Sequence, residues 1–347
     1  MTAAAPVAEY GTGLQLTRVL RDPDGAFLWW HLPGPQRTGP LTAPAAHLVP
    51  EPPAASGAAE LAVPEPLGDG LLHRAAGSAS VAAWLRDPRP QARRLAAHSL
   101  VAGARALREL HRVRVPADTE LRIPPGLRRL GEWARGGEGL PAGALRLREA
   151  AARAWGEERL TLLLDWAAQA ADPADGTLVH GWASVGALIP PLSRGRAALL
   201  TGEDLAVGRP ELDLGWTLGD LAEIAWSAPY FDYDGLAEGF LDAYGSEAYG
   251  NDAARSGAYG SDSANPDTYG RDASDNDTYG RDSCRPDAYR PPPDPVLVGR
   301  AAVLRVATHM QDFASFCEWS DELHDYIDFT AELIDEEGRR AVPQGVS

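Results

Sequence analysis

The chain contains no lysine; all 32 of its basic residues are arginine. A mechanism that needs an amine, as nucleophile or as a compact phosphate partner, has none to draw on, because guanidinium stays protonated and presents a broad fork. Cysteine is nearly as scarce. Cys284 and Cys317 are the two present, too few for a disulfide scaffold or a tetrahedral thiolate zinc site. No apolar run approaches the roughly 20 residues that span a bilayer. The opening MTAAAPVAEYGTG has neither the basic region nor the apolar core of a signal peptide. We therefore expect no membrane partner and a cytoplasmic location. Positive charge is in deficit as well, at 32 Lys+Arg against 49 Asp+Glu for a net −17. That balance argues against a nucleic-acid partner, since phosphate binding needs clustered cations.

What is present is ordinary for a folded protein. At 347 residues, 44% hydrophobic and 23% charged, the chain can bury real cores in two lobes or two modest domains. Its many Ala, Gly and Pro residues, with Arg for Lys, look like the coding bias of a GC-rich, actinobacterial genome. Such a bias supplies no lysine where a mechanism needs one.

Residues 1–75 hold the strand-like runs LQLTRVL (14–20) and AFLWWHL (26–32), parted by the turn sequence RDPDG. A Pro/Ala-rich stretch from Pro50 to Pro66 reads as a loose connection, and GLLHRAAG follows as a further short strand. We take 1–75 as a small β-leaning lobe. From about Ser80 apolar residues recur at three- and four-residue spacing, through QARRLAAHSLVAGARALRELHRV, GLRRLGEWARGG and the long run GALRLREAAARAWGEERLTLLLDWAAQA. Two short apolar runs, VGALIPP and RAALLTG, predict a hairpin. DLGWTLGDLAEIAW and GLAEGFLDAYG then return to helix. We assign 76–245 to a helical lobe and 294–347 to its C-terminal helices.

Between them, residues 246–293 break the pattern. Tyr249, Tyr259, Tyr269, Tyr279 and Tyr289 fall ten apart in units such as TYGRDASDND. Units so rich in Gly, Asp, Asn, Ser and Pro cannot bury enough apolar surface to fold, so the sequence predicts a disordered insertion. The aspartate density raises calcium binding, but the spacing is not that of an EF-hand loop.

Four strings then stand out in order: ALRELH (106–111), LVHGWASVGALI (178–189), ALLTGEDLAVGRPELDLG (198–215) and FLDAYG (240–245). Together they resemble the aminoglycoside phosphotransferase-like branch of the protein-kinase fold. The resemblance covers roughly residues 75–330, and the N-terminal lobe matches in layout only. It implies an α+β, protein-kinase-like, two-lobed fold with a small β-rich N-lobe and a mainly helical C-lobe. In that family the loop runs His-Gly-Asp-x-x-x-x-Asn. The Asp handles the substrate hydroxyl proton, the Asn and an Asp on the following hairpin hold Mg²⁺, and an N-lobe Lys meets the phosphates.

Carried over, His180 and Gly181 match, but the base position is Trp182, the Asn position Ala187 and the metal Asp Thr201. Indole only donates, and alanine does neither job. GTGLQL (11–16) is too poor in glycine for a phosphate-covering loop. The resemblance assigns His180 and Asp213 structural roles, bracing the loop and holding its backbone. Retained scaffold beside lost chemistry favours a pseudokinase. The competing reading lets Glu203 or Asp204 reach the metal position, giving an atypical phosphotransferase that uses Mg-ATP.

Other groupings are weaker. His180 with Ser184 and Asp213 or Asp220 would make a hydrolase triad, but no nucleophile elbow surrounds the serine. His309, His324 and Asp325 would suggest a metal, though they read as one solvated helix surface. Trp29, Trp30, Trp216, Trp226 and Trp319 read as core or interface aromatics. The strings HGxxSxG and LLTGEDL with RPELDLGW are also similar to the kinase-like subunits of class V lanthipeptide and thioamitide biosynthesis. That likeness implies a role in Ser/Thr dehydration of a ribosomal peptide, beside a lyase subunit and a precursor peptide.

Overall fold

The computed structural model describes residues 4–53, 56–113, 115, 123–172, 177–228, 233–245, 292–317 and 319–343. The decapeptide repeat expected to be a disordered insertion lies outside them.

The N-lobe is one antiparallel sheet in the order β1-β2-β3-β6-β5. β2 (Gln15–Arg21), β3 (Phe27–Pro33) and β6 (Gly70–Ala75) are the runs the sequence marks. β1 (Ala5–Gly11) and β5 (Glu65–Leu67) flank them, and every residue of both is exposed. On β2 and β3 alternate side chains turn inward, so Val19, Phe27 and Trp29 are buried on one face. The stretch Pro50–Pro66 is not merely a connection. Within it β4 (Glu60–Ala62) pairs parallel with β9 (Ala198–Leu200) and extends the β8–β9 hairpin, β8 being Leu188–Ile189.

The C-lobe is helical: α1 (Val81–Leu85), α2 (Pro90–His111), α3 (Pro125–Arg135), α4 (Ala142–Ala170), α5 (Pro210–Ser227), α6 (Tyr233–Gly245), α7 (Pro295–Phe316) and α8 (Glu322–Asp335). Proline opens α2, α3, α5 and α7, where its missing N–H costs no intrahelical bond. The long α4 pattern is interrupted at Gly156, which adopts a positive φ. α5 and α7 form the centre of the lobe. Their backbones approach closely at Gly215, where a Cβ would stand 2.4 Å from that of Ala301. β7 (Thr177–Val179) pairs antiparallel with β10 (Ala206–Gly208) and presents the loop that follows it. None of the described helices is long and apolar enough to cross a membrane.

Candidate active site

β7 ends at Val179, His180 follows it, and the chain turns at Gly181 with φ +75°. A Cβ there would lie 1.9 Å from the Asp204 carbonyl oxygen, so the turn requires glycine. Asp213, fully buried in the first turn of α5, accepts the N–H groups of His180 (2.6 Å) and Gly181 (2.8 Å). His111 from the end of α2 reaches the same carboxylate with Nε2 at 2.9 Å and meets the Tyr244 hydroxyl with Nδ1 at 2.8 Å.

Burial drives the His180 pKa down, against the pull of Asp213. The neutral ring then donates from Nε2 to the Leu200 carbonyl at 3.0 Å and accepts the Trp182 N–H at Nδ1. His180 thus joins the loop to the hairpin with both nitrogens spent. Ser184 lies elsewhere: its hydroxyl donates to Asp220 at 2.7 Å and accepts the Gly186 N–H. The hydrolase triad is not assembled, because Ser184 and His180 bond to different partners.

Trp182 is turned into the C-lobe. Its ring lies on Gly126 of α3, where a Cβ would come within 2.8 Å, and 5.4 Å from the Trp216 ring centroid. Ala187 closes a turn, donating to Ser184 and accepting the Leu200 N–H. Thr201 is buried, with its N–H and hydroxyl on the Ala62 carbonyl (3.0 and 2.9 Å) and its own carbonyl on His73 Nε2 (2.7 Å). The three positions that would carry acid–base and metal chemistry hold an indole, a methyl and a hydroxyl already committed to the backbone. These residues do not fit Mg-ATP.

Glu203 and Asp204 sit at the turn after β9. Glu203 is bound to Arg37 of the N-lobe at 2.7 Å, with both side chains largely buried. Burial pushes the half-buried Asp204 carboxyl up to about 7, against Arg129 and with the repulsion of Glu203. Arg129 itself is clasped by Asp312 at 2.6 and 2.8 Å. One carboxylate is therefore neutralised by a cation, and the other is held partly protonated at neutral pH.

The sheet and the hairpin pack on each other through apolar side chains. Val19, Phe27, Trp29 and Ala75 of the sheet share one buried cluster with Ile189, Ala198 and Leu200 of the hairpin. The β1–β2 turn, where a phosphate-covering loop would hang, is pinned: Gly13 N–H donates to the Phe316 carbonyl at 2.8 Å. That carbonyl belongs to the last turn of α7, which has no intrahelical donor left for it. Arg37–Glu203 and His73–Thr201 join this bond among the polar clasps between the lobes. These three were not evident in the sequence, since each joins residues more than a hundred positions apart.

The protein-kinase-like fold is what solved structures share with this chain. Similar ones include an ethanolamine kinase from Plasmodium vivax (10% identity, TM-score 0.50, 98% of this chain and 83% of that one). A choline kinase from Cryptosporidium parvum aligns at 10% identity and TM-score 0.47 over 97% and 89% of the two chains. An ADP-bound aminoglycoside phosphotransferase aligns at 9% identity and TM-score 0.43 over 97% and 94%. The fold is kinase-like. No protein-family model and no curated protein matches the sequence.

The remaining sequence candidates are scattered. His309 Nδ1 bonds Glu223 at 2.8 Å, whereas His324 packs edge-on against Trp319. Among the described residues no His/Cys/Asp/Glu group is placed to hold a metal. Trp29 and Trp216 are core, as read, and Trp30 and Trp319 are half-buried. Trp226 is not core: it is 39% exposed on the wall of a cavity.

Proposed function

We propose that this protein is a pseudokinase: a kinase-fold chain that binds a partner and does not transfer phosphate. The observation that carries the reading is Trp182, an indole in the base position, seated against Gly126 and Trp216 rather than facing an acceptor. The apolar packing of sheet on hairpin supports it, because a nucleotide entering there would have to displace the Val19–Trp29–Leu200 cluster. The role we assign is that of a binding or scaffold subunit in Ser/Thr dehydration of a ribosomal peptide, with a lyase subunit and a precursor peptide as partners. This setting rests on the resemblance of the loop strings alone. In the alternative, an atypical phosphotransferase, Glu203 or Asp204 would hold Mg-ATP. It must first break the Arg37–Glu203 pair.

The test is transfer of labelled γ-phosphate from Mg-ATP to Ser/Thr peptides by the wild type and by the double variant Glu203→Ala, Asp204→Ala. We expect background label from both. Label from the wild type that the double variant loses would establish the phosphotransferase instead.

A further inference from the structure

A cavity of about 690 Å³ opens between the C-terminal end of α5, the last turns of α7 and one face of α8. Its size falls in the range of small-ligand and peptide-anchoring sites. One wall is aromatic. Trp226 stacks face to face on Phe329 (centroids 4.7 Å, 5° between planes), and Tyr326 meets it edge-on at 4.9 Å. This fixes the indole while leaving it 39% exposed.

The lining carries five carboxylates against one arginine, Arg86, and one histidine, His309. Two of the five are spent. Glu223 binds Arg305 and His309; burial works against its charge, but those neighbours outweigh it and hold its pKa down at about 2. Glu332 binds Arg340. Glu322, Asp325 and Asp328 are exposed and have no salt-bridge partner among the described residues. They recur at every third residue of α8, so they span about 9 Å of the helix. Alternate side chains of an extended peptide are about 7 Å apart, close enough for successive cations to meet successive carboxylates. A guanidinium adds what an ammonium lacks, a flat face to lie on the indole and a fork for carboxylate oxygens. The chain already uses that pairing elsewhere, with Arg146 held 3.9 Å over the Trp319 ring.

We propose that this cavity docks an extended, arginine-bearing segment of a peptide partner, one guanidinium on Trp226 and its neighbours on Glu322, Asp325 and Asp328. The site rests on the proposed role as a binding subunit and names where that binding occurs.

The test is calorimetric titration of the full-length protein with an acetylated, amidated pentapeptide carrying arginine at its first, third and fifth positions and alanine between. The same peptide with citrulline for arginine, and spermidine, are the comparison ligands. We expect the arginine peptide to bind and the citrulline peptide not to. Asp325→Asn with Asp328→Asn, and separately Trp226→Leu, should each weaken binding about tenfold. The N-lobe pair Glu60→Gln with Glu65→Gln should leave it unchanged. The exposed aspartates keep the test valid if Trp226→Leu disturbs packing. Three results would overturn the proposal: no binding, equal weakening by the N-lobe pair (attraction to net charge alone), or spermidine binding as tightly as the peptide (a free-polyamine site). Phosphotransfer activity would overturn the pseudokinase reading yet leave these affinities untouched, so the two failures are distinguishable.

Discussion

At the scale of single residues, the loop from His180 to Ala187 keeps its scaffold and carries none of its expected chemistry. Gly181, Asp213 and His180 make a closed hydrogen-bond set that fixes the backbone. Trp182, Ala187 and Thr201 fill the positions around it with packing. Gly181→Ala tests how much that geometry is worth. A Cβ in left-handed backbone that also meets the Asp204 carbonyl should cost at least about 2 kcal/mol, read as a lower midpoint in urea. A loss within experimental error would mean the turn relaxes and the loop is not fixed. Most of this loop was legible in sequence, because the His-Gly pair and the Asp-Leu-Gly helix start are local strings. The seat of Trp182 was not, because Gly126 and Trp216 come to it from two other helices.

At the scale of elements, strands and helices with clear periodicity were legible: β2, β3, β6, the β8–β9 hairpin and the helices of the C-lobe. β1 and β4 were not. β1 is an Ala-rich edge strand with no buried face to impose alternation, and β4 hides in a proline-rich stretch and gains its order from pairing with β9. The clasps between lobes are invisible for the same reason, being contacts between distant segments. One of them has a pH signature. His73 bonds Thr201 and packs its ring 4.9 Å from that of His31. Burial, with repulsion from His73, lowers the His31 pKa to about 3.

A histidine that takes up a proton more readily when unfolded contributes stability above its unfolded pKa of about 6.5. That contribution is lost as pH falls toward 3. His31→Phe removes the titration, so its unfolding free energy should decline less than that of the wild type between pH 7 and pH 4, by on the order of 2 kcal/mol. Parallel pH profiles for the two proteins would show that His31 is not the group responsible.

At the scale of the whole molecule, the described lobes contain their own cores: one under the β-sheet and hairpin, and two among the helices. Their described members all lie in the two lobes, and the repeat sequence is nearly without aliphatic residues that could build a core of its own. Deleting residues 246–290 should therefore leave the thermal midpoint within about 2 °C of the full chain, since stability resides in buried apolar contacts. A drop of ten degrees would make the repeat part of the fold. Function was less legible than fold because it depends on the packing between sheet and hairpin and on the C-lobe cavity, and both are assembled from segments far apart in the chain.

The central proposal is that in this kinase-like fold the apolar packing of sheet on hairpin stands where a nucleotide would bind. Titration of the purified protein with ATP to millimolar concentration, with and without Mg²⁺, tests it directly through the thermal midpoint. A ligand that binds the native state must raise that midpoint in proportion to the logarithm of its concentration over Kd. We predict no shift in either condition. A Mg²⁺-dependent rise would contradict the account, because it would require the Val19–Trp29–Leu200 cluster to open and Glu203 or Asp204 to take up the metal.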